Sequence, residues 1–336
     1  MRYWGFFVLL ALMSYQPGPK FPAKLSDYGF FEGKPQDQKP ANGVTPYELV
    51  SPLFSDYASK LRFIQLPSGQ SVNYNPDSVF QFPVGTRIVK TFYYPTDERH
   101  PNEGRRLMET RVLSHETTGW VALPYIWNEE QTEAYLEVAG GTSLVEYKDA
   151  KGKKQQVNYV VPNVNQCKGC HERDSEMTPI GPSARQMNST MTYAHGAENQ
   201  LEYWSRTNQM KGLSGNRPAF VSYLDESASL NDRVKAYLDI NCAHCHNPKG
   251  PAKSSGLFLG HTYYGSTAYG IMKSPVAAGR GSGGLNYDIV PGKPSESILL
   301  YRMDSHDPGI MMPELGRSKI HQEGVALIRE WIKSIH

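Results

Sequence analysis

Cysteine is scarce in this chain, with four residues in 336. A disulfide-stapled scaffold uses far more, so the fold must rest on a hydrophobic core, for which 39% apolar residues is ordinary. Charge bias is missing as well. The 35 basic residues nearly balance 33 acidic ones, for a formal net charge of +2, which removes the bulk electrostatic case for nucleic acid. Long apolar runs are also absent. The run from Tyr3 to Met13, behind Arg2, is shorter than the roughly 20 residues a bilayer span needs. It fits the hydrophobic part of a secretory signal, about 7–15 residues, and polar sequence follows from Ser14 to Pro19. Residues 1–18 are therefore read as a signal peptide, or as an N-terminal membrane anchor if uncleaved, and export is expected. No repeat, phosphate-cradling glycine loop or nucleophile–base set is visible, and the adjacent Glu129 and Glu130 read as a solvated turn.

All four cysteines belong to two matching strings, Cys167-Lys-Gly-Cys170-His171 and Cys242-Ala-His-Cys245-His246. Two thiols about one helical turn apart can add to the two vinyl groups of a haem, and the next residue brings its imidazole to the iron. Other readings fit less well. One zinc held by four sulfurs would want the two pairs closer together and would not need the histidines. A thioredoxin-like redox pair would need one motif near a βαβ pattern, and a disulfide between cysteines three apart is an unusual staple. The expected cofactors are thus two covalently attached haem c groups, with Cys167, Cys170, Cys242 and Cys245 as attachment points and His171 and His246 as iron ligands. His244, inside the second string, reads as a spacer pointing to solvent.

The rest of the chain falls into segments. Residues 19–46 are polar and proline-bearing, an extended linker. Residues 47–160 carry β-branched and aromatic runs separated by turn signals, including a hairpin at Tyr147 to Val161 turning on Asp149 to Gly152. That segment reads as an antiparallel β-rich domain of unassigned role. Residues 161–228 hold the first haem string. Residues 229–336 read as mainly helical: Ser229 and Asp232 give a start signal, Val234, Tyr237 and Leu238 an apolar face, and Pro294 to Met303 a proline-led helix. Val325, Leu327, Ile328, Trp331 and Ile332 mark a terminal amphipathic helix. The expected fold class is multidomain, with a β-rich N-terminal domain followed by mainly α, cytochrome c-like haem domains.

Each iron has a second axial position. For the second haem, Met312 sits on a proline-stiffened loop before the terminal helix and is the expected sixth ligand, with Met311 as the runner-up; a thioether there raises the potential. For the first haem, Met177, Met187, Met191, His195 and Met210 are within reach of His171 in sequence and none stands out, so a five-coordinate iron stays open.

Asn241-Cys-Ala-His-Cys-His246, Pro275-Val-Ala-Ala-Gly-Arg-Gly-Ser-Gly-Gly284, Asp288-Ile-Val-Pro-Gly-Lys-Pro294 and Met312-Pro-Glu-Leu-Gly-Arg317 resemble an uncharacterised family of bacterial di-haem c-type cytochromes. The resemblance extends upstream through Ser51-Pro-Leu-Phe-Ser-Asp-Tyr57 and the first haem string, and 229–336 looks like a class I cytochrome c domain. It implies a periplasmic electron carrier, redox partner proteins, and often a neighbouring β-helix protein, without naming a substrate. The expected function is single-electron transfer between redox partners. A di-haem peroxidase-like enzyme, or a cytochrome subunit serving a periplasmic dehydrogenase, are the alternatives; no distal acid–base pair for peroxide is evident.

Overall fold

Between Ser59 and Trp127 apolar and polar side chains alternate with a period of two, which gives a pleated ribbon two distinct faces. The computed structural model describes residues 20–215, 217–276 and 278–336; the expected signal segment, 1–18, lies outside the described residues. Strands β1 (Val44–Pro46), β2 (Ser59–Gln65), β4 (Arg87–Pro95), β5 (Arg105–Glu116), β6 (Gly119–Trp127) and β7 (Ala134–Leu136) pair antiparallel in that order. The short β3 (Val72–Asn73) stands outside this sheet and pairs in parallel with Met210–Lys211.

One face of the sheet buries Phe63, Val89, Val112, Leu123 and Tyr125 against Leu25 and Phe30, which come from the segment before β1. Each of those two side chains stabilises the cover by about 1.5–3 kcal/mol when fully buried. The opposite face carries Ile64, Ile88 and Phe92. Phe92 packs on the hairpin of β8 (Gly141–Lys148) and β9 (Lys154–Val161) through Val145, Val157 and Tyr159. The hairpin turns at Asp149, whose Oδ1 accepts from the Lys151 and Lys153 amides, with Gly152 at φ +75° where a side chain would be strained. The chain then enters α1 (Val164–His171), and Ile64 and Ile88 meet α2 (Ala184–Met187) and α3 (Gln200–Arg206) through Met187, Leu201 and Trp204.

Towards the C-terminus, α4 (Leu230–Asn241), α5 (Ile298–Met303) and α6 (Gln322–Ser334) bury Val234, Tyr237, Leu238, Val325, Ile328 and Trp331 in one cluster. The helical periods read from Val234 to Leu238 and from Val325 to Ile332 therefore correspond to real apolar faces. The expectation of mainly α cytochrome c-like haem domains is nevertheless corrected. The structure is β-rich, 23% helical and 27% strand, and no cytochrome-like helical domain is evident among the described residues. The physical reason lies between α4 and α5, where glycine, proline and serine recur and the chain makes tight turns and short 3-10 segments instead of packed helices. Around the first string, the helices formed by the described residues are of eight, four and seven residues.

The Ser51–Tyr57 string acts as a clasp. Ser51 Oγ donates to the Val221 carbonyl and accepts from the Tyr223 amide, and the Phe54 amide donates to Asn241 Oδ1 at the end of α4. The buried Asp56 carboxylate accepts from the amides of Ser318 and Lys319 and from Ser318 Oγ, all at 2.7–2.8 Å.

Candidate functional site: two Cys-x-x-Cys-His strings at one cavity

The first string is delivered by α1. Asn163 caps it, accepting from the Gln166 amide while Gln166 Oε1 accepts from the Asn163 amide, a reciprocal capping box. The helix ends at His171, and a tight hairpin pairs Glu172–Arg173 with Glu176–Met177. That return brings the Thr178 carbonyl to His171 Nδ1 at 2.8 Å. The second string follows α4, which starts where expected: the Asp232 amide donates to Ser229 Oγ. Cys242 forms the helix end, and the His246 amide donates to the Cys242 carbonyl at 2.9 Å. Gly250 packs so tightly beneath this turn that a Cβ would collide with the Cys245 carbonyl. The His246 ring points Nδ1 at the Leu257 carbonyl, 3.3 Å away.

The two histidines are thus held in the same way. A carbonyl at Nδ1 fixes the proton there and leaves Nε2 as the lone-pair nitrogen, the usual arrangement behind a metal-binding imidazole. Burial lowers both rings to about 4, against the partial help of those carbonyls, so both are neutral and ligand-ready near pH 7. Burial pushes the thiols the other way, Cys242 and Cys245 up to about 12, and raises Cys167 and Cys170 as well. A redox-active pair would need the opposite shift. All four cysteines are free, and among the described residues no group of three or more histidine, cysteine or acidic side chains is placed to hold a metal ion. The four-sulfur zinc reading therefore has no geometry behind it.

The strings converge. The Asp174 amide donates to the Lys249 carbonyl at 2.8 Å, and Lys249 pairs with the Asp174 carboxylate at 2.8 Å. Cys170 and His171 from one string and Ala243 and His244 from the other line the same cavity of about 400 Å³. Its wall also carries side-chain atoms that are enclosed and have no hydrogen-bond partner: Arg185 Nε, Gln186 Nε2, His244 Nδ1 and His261 Nε2. Each unpaired buried polar atom costs about 1–3 kcal/mol, so their concentration on one wall suits a bound group with polar edges.

A second feature lies on the sheet face near the first string. Arg62 stands directly opposite Lys90, and Lys90 opposite Arg111, so three cations form one row across β2, β4 and β5, with Lys60 beside them. The ammonium groups of Lys60 and Lys90 and the Arg111 guanidinium all sit over the Phe92 ring, at 6.0, 4.7 and 4.4 Å. Glu109, fully buried, pairs with Arg111 and accepts from the Tyr159 hydroxyl. Like charges directly opposite on a sheet repel, and burial, then the neighbouring arginines, hold Lys60 and Lys90 well below the ordinary lysine range. Arg62 Nη2 is enclosed without a partner. Lys90 and Arg111 also lie close enough to influence Cys170 and His171 electrostatically. The row is short of anions, and haem propionates are carboxylates. The attachment thiols, the pre-oriented imidazoles and this excess of cations together fit the expected group, whose chemistry is reversible one-electron exchange at iron.

Met312 is held at both ends of its peptide unit: its amide donates to the Arg302 carbonyl at 3.0 Å, and Arg317 Nε donates to its carbonyl at 3.1 Å. Met311 belongs to a turn, its amide donating to the Asp307 carbonyl. Both side chains are half-buried. Two residues on, Glu314 acts electrostatically on Cys245, and Leu315 lies where a Cβ on Gly169 would touch it, at 3.4 Å. The loop therefore reaches both strings.

The candidates for the first haem are scattered. Met187 and Met210 are buried in the core beneath the sheet. His195 is bound to Glu198 at 2.8 Å and stacked on Tyr193, away from the cavity. Met191 is on the β-hairpin of residues 190–199. Met177 precedes the residue that holds His171 Nδ1, so its backbone lies behind the ring. Glu129 is exposed and pairs with Arg106, and Glu130 is exposed. His244 departs from expectation: it is partly buried and faces the cavity rather than solvent, and burial, then His246, lowers its ring to about 4. The cation row and the Asp56 clasp were missed in the sequence. Their signal was a charged residue at every second position of β2, in phase with Ile64 on a buried face. Compared with known proteins, the chain matches no family model, no curated protein and no solved structure.

Proposed function

We propose that this chain is an exported di-haem c-type cytochrome that carries single electrons between redox partner proteins, on a β-rich scaffold. The observation that carries the reading is the repeated geometry of the two strings: in each, a backbone carbonyl engages Nδ1 of the histidine that follows the cysteine pair. Zinc, disulfide and thioredoxin-like chemistry would require neither histidine. Haem attachment requires both, each with Nε2 free. The cation row and the unpaired polar atoms of the cavity add support, since both suit a planar group with two carboxylates. The family resemblance of the haem strings and of Met312 to Arg317 supports a periplasmic location and protein partners, a β-helix protein among them. Among the described residues no helix is long and apolar enough to cross a membrane.

In this role the residues orient and insulate. His171 and His246 donate a lone pair each, Thr178 and Leu257 hold those rings in one tautomer, and Met312 would complete the second iron. Closed coordination favours electron exchange over substrate binding. Intact mass spectrometry of the denatured chain, recovered from the periplasmic fraction of its native host, should show two haem additions. Changing Cys242 and Cys245 to alanine should leave one. A wild-type chain with one addition or none would defeat the reading.

A further inference from the structure

Attachment chemistry gives His244 no task. Haem addition uses the two thiols and the histidine that follows them, while the two residues between the cysteines are free to vary; in the first string they are Lys168 and Gly169. Yet the second string puts an imidazole there and turns it inward. Its Nδ1 is enclosed and makes no hydrogen bond of good geometry, the backbone of Ile240 being a polar group beside the ring, and no side chain bonds the ring among the described residues. The opposite nitrogen, Nε2, is not among the enclosed atoms, and no side chain among the described residues bonds it. The ring lines the cavity that also takes Cys170 and His171 from the first string. His261 is the other histidine on that wall, but Asp239 engages its Nδ1 at 2.9 Å and its Nε2 is enclosed. Of the methionine candidates, Met187 and Met210 are core residues and Met177 and Met191 lie on strands, and His195 is committed to Glu198.

We infer that His244 is the sixth ligand of the iron attached through Cys167, Cys170 and His171, so that the second string anchors one haem and ligates its neighbour. The inference rests on the di-haem reading. The bond formed is a coordinate one: Nε2 contributes its lone pair, at most a water leaves, and no electron changes hands. This explains why a ring that no side chain engages is turned into the cavity where any small residue would serve attachment equally well. It also gives the first haem two imidazoles against the imidazole and thioether of the second.

Ferric electron paramagnetic resonance and near-infrared magnetic circular dichroism test this on the purified holoprotein, with intact mass measured on the same samples. The wild type should show one bis-histidine haem. In His244→Ala both haem additions should remain, the bis-histidine signature should vanish, and one equivalent of high-spin iron should appear. Added imidazole should restore the low-spin spectrum. His244→Met, which keeps a ligand and a comparable volume, should convert that haem to a histidine–methionine signature with a raised midpoint, and His261→Ala should leave the signature intact. Persistence of the bis-histidine signature in His244→Ala, its absence from the wild type, or its loss in His261→Ala alone would overturn the assignment. A wild-type mass short of two additions defeats the underlying di-haem reading, and is seen before any spectrum is taken.

Discussion

His171 and His246 are individually ordinary residues made useful by what sits behind them. A free imidazole populates two tautomers and rotates; a carbonyl at Nδ1 removes both freedoms before any iron arrives. Met312 is prepared differently, through its backbone, because a thioether offers nothing for a second partner to hold. The Arg302 carbonyl and the Arg317 side chain fix its peptide unit from both sides. On the proposed reading, Met312→Ala should abolish the near-infrared sulfur-to-iron band and lower the higher of two midpoints, since methionine favours the reduced state relative to a nitrogen or water ligand. Met311→Ala should change little. A Met312→Ala protein that keeps the band and the midpoint would transfer the assignment to Met311.

At the scale of elements, register explains what single residues cannot. Arg62, Lys90 and Arg111 are distant in sequence and become neighbours only because β2, β4 and β5 pair as they do. Without an alignment of strands, nothing in the sequence says that these cations share a face, which is why the row was illegible while the two Cys-x-x-Cys-His strings, each contiguous in the chain, were legible as strings. The helical periods of α4 and α6 were legible for the same reason: a stripe of apolar residues is local. What failed was the step from three helices to a helical domain, because the long stretch between Cys242 and Ser297 is governed by glycine and proline, not by an apolar period. The row makes a prediction with two opposite signs. In the holoprotein, Lys90→Met should lower the midpoint of the first haem, because a nearby positive charge disfavours ferric iron. In a Cys167→Ala, Cys170→Ala background, where the first haem and its propionates are absent, the same change should raise the denaturation midpoint, by on the order of 1 kcal/mol, because a half-buried, crowded lysine is replaced by an apolar chain of similar length. Chemical denaturation and redox titration read the two effects, and destabilisation in the Cys167→Ala, Cys170→Ala background would remove the anion-deficit argument.

For the whole molecule the question is how the sheet and the C-terminal helices are held so that both strings meet one cavity. His321 marks that joint. It is buried, stacked on Phe54 of the clasp at 4.2 Å, and its Nδ1 lies 3.1 Å from the Tyr237 hydroxyl on α4. Burial lowers its ring to about 4, although Glu323 favours the charged form and Lys60 opposes it. The unfolded chain therefore binds this proton first as pH falls: stability from His321 is present above about 6.5, and it is lost as the pH drops towards 4. Denaturation of His321→Gln should show a shallower loss across that window, by on the order of 2 kcal/mol, and an unchanged pH slope would clear His321 of the role. A fixed joint has a consequence for the proposed cofactors. Cys170 and Cys245 sense one another electrostatically, Asp174 and Lys249 tie the strings together, and the loop after Met312 sets Leu315 beside Gly169 and Glu314 within electrostatic reach of Cys245. On the proposed reading, two irons held on such strings would be coupled paramagnets. The ferric resonance spectrum of the wild type should therefore differ from the sum of two single-haem variants, Cys167→Ala with Cys170→Ala and Cys242→Ala with Cys245→Ala, with signals broadened or split where the sum predicts sharp ones. Reduction of one haem should sharpen the spectrum of the other. A wild-type spectrum that the two variants reproduce by simple addition would mean that the haems lie too far apart to communicate directly, and that electrons enter and leave through separate sites.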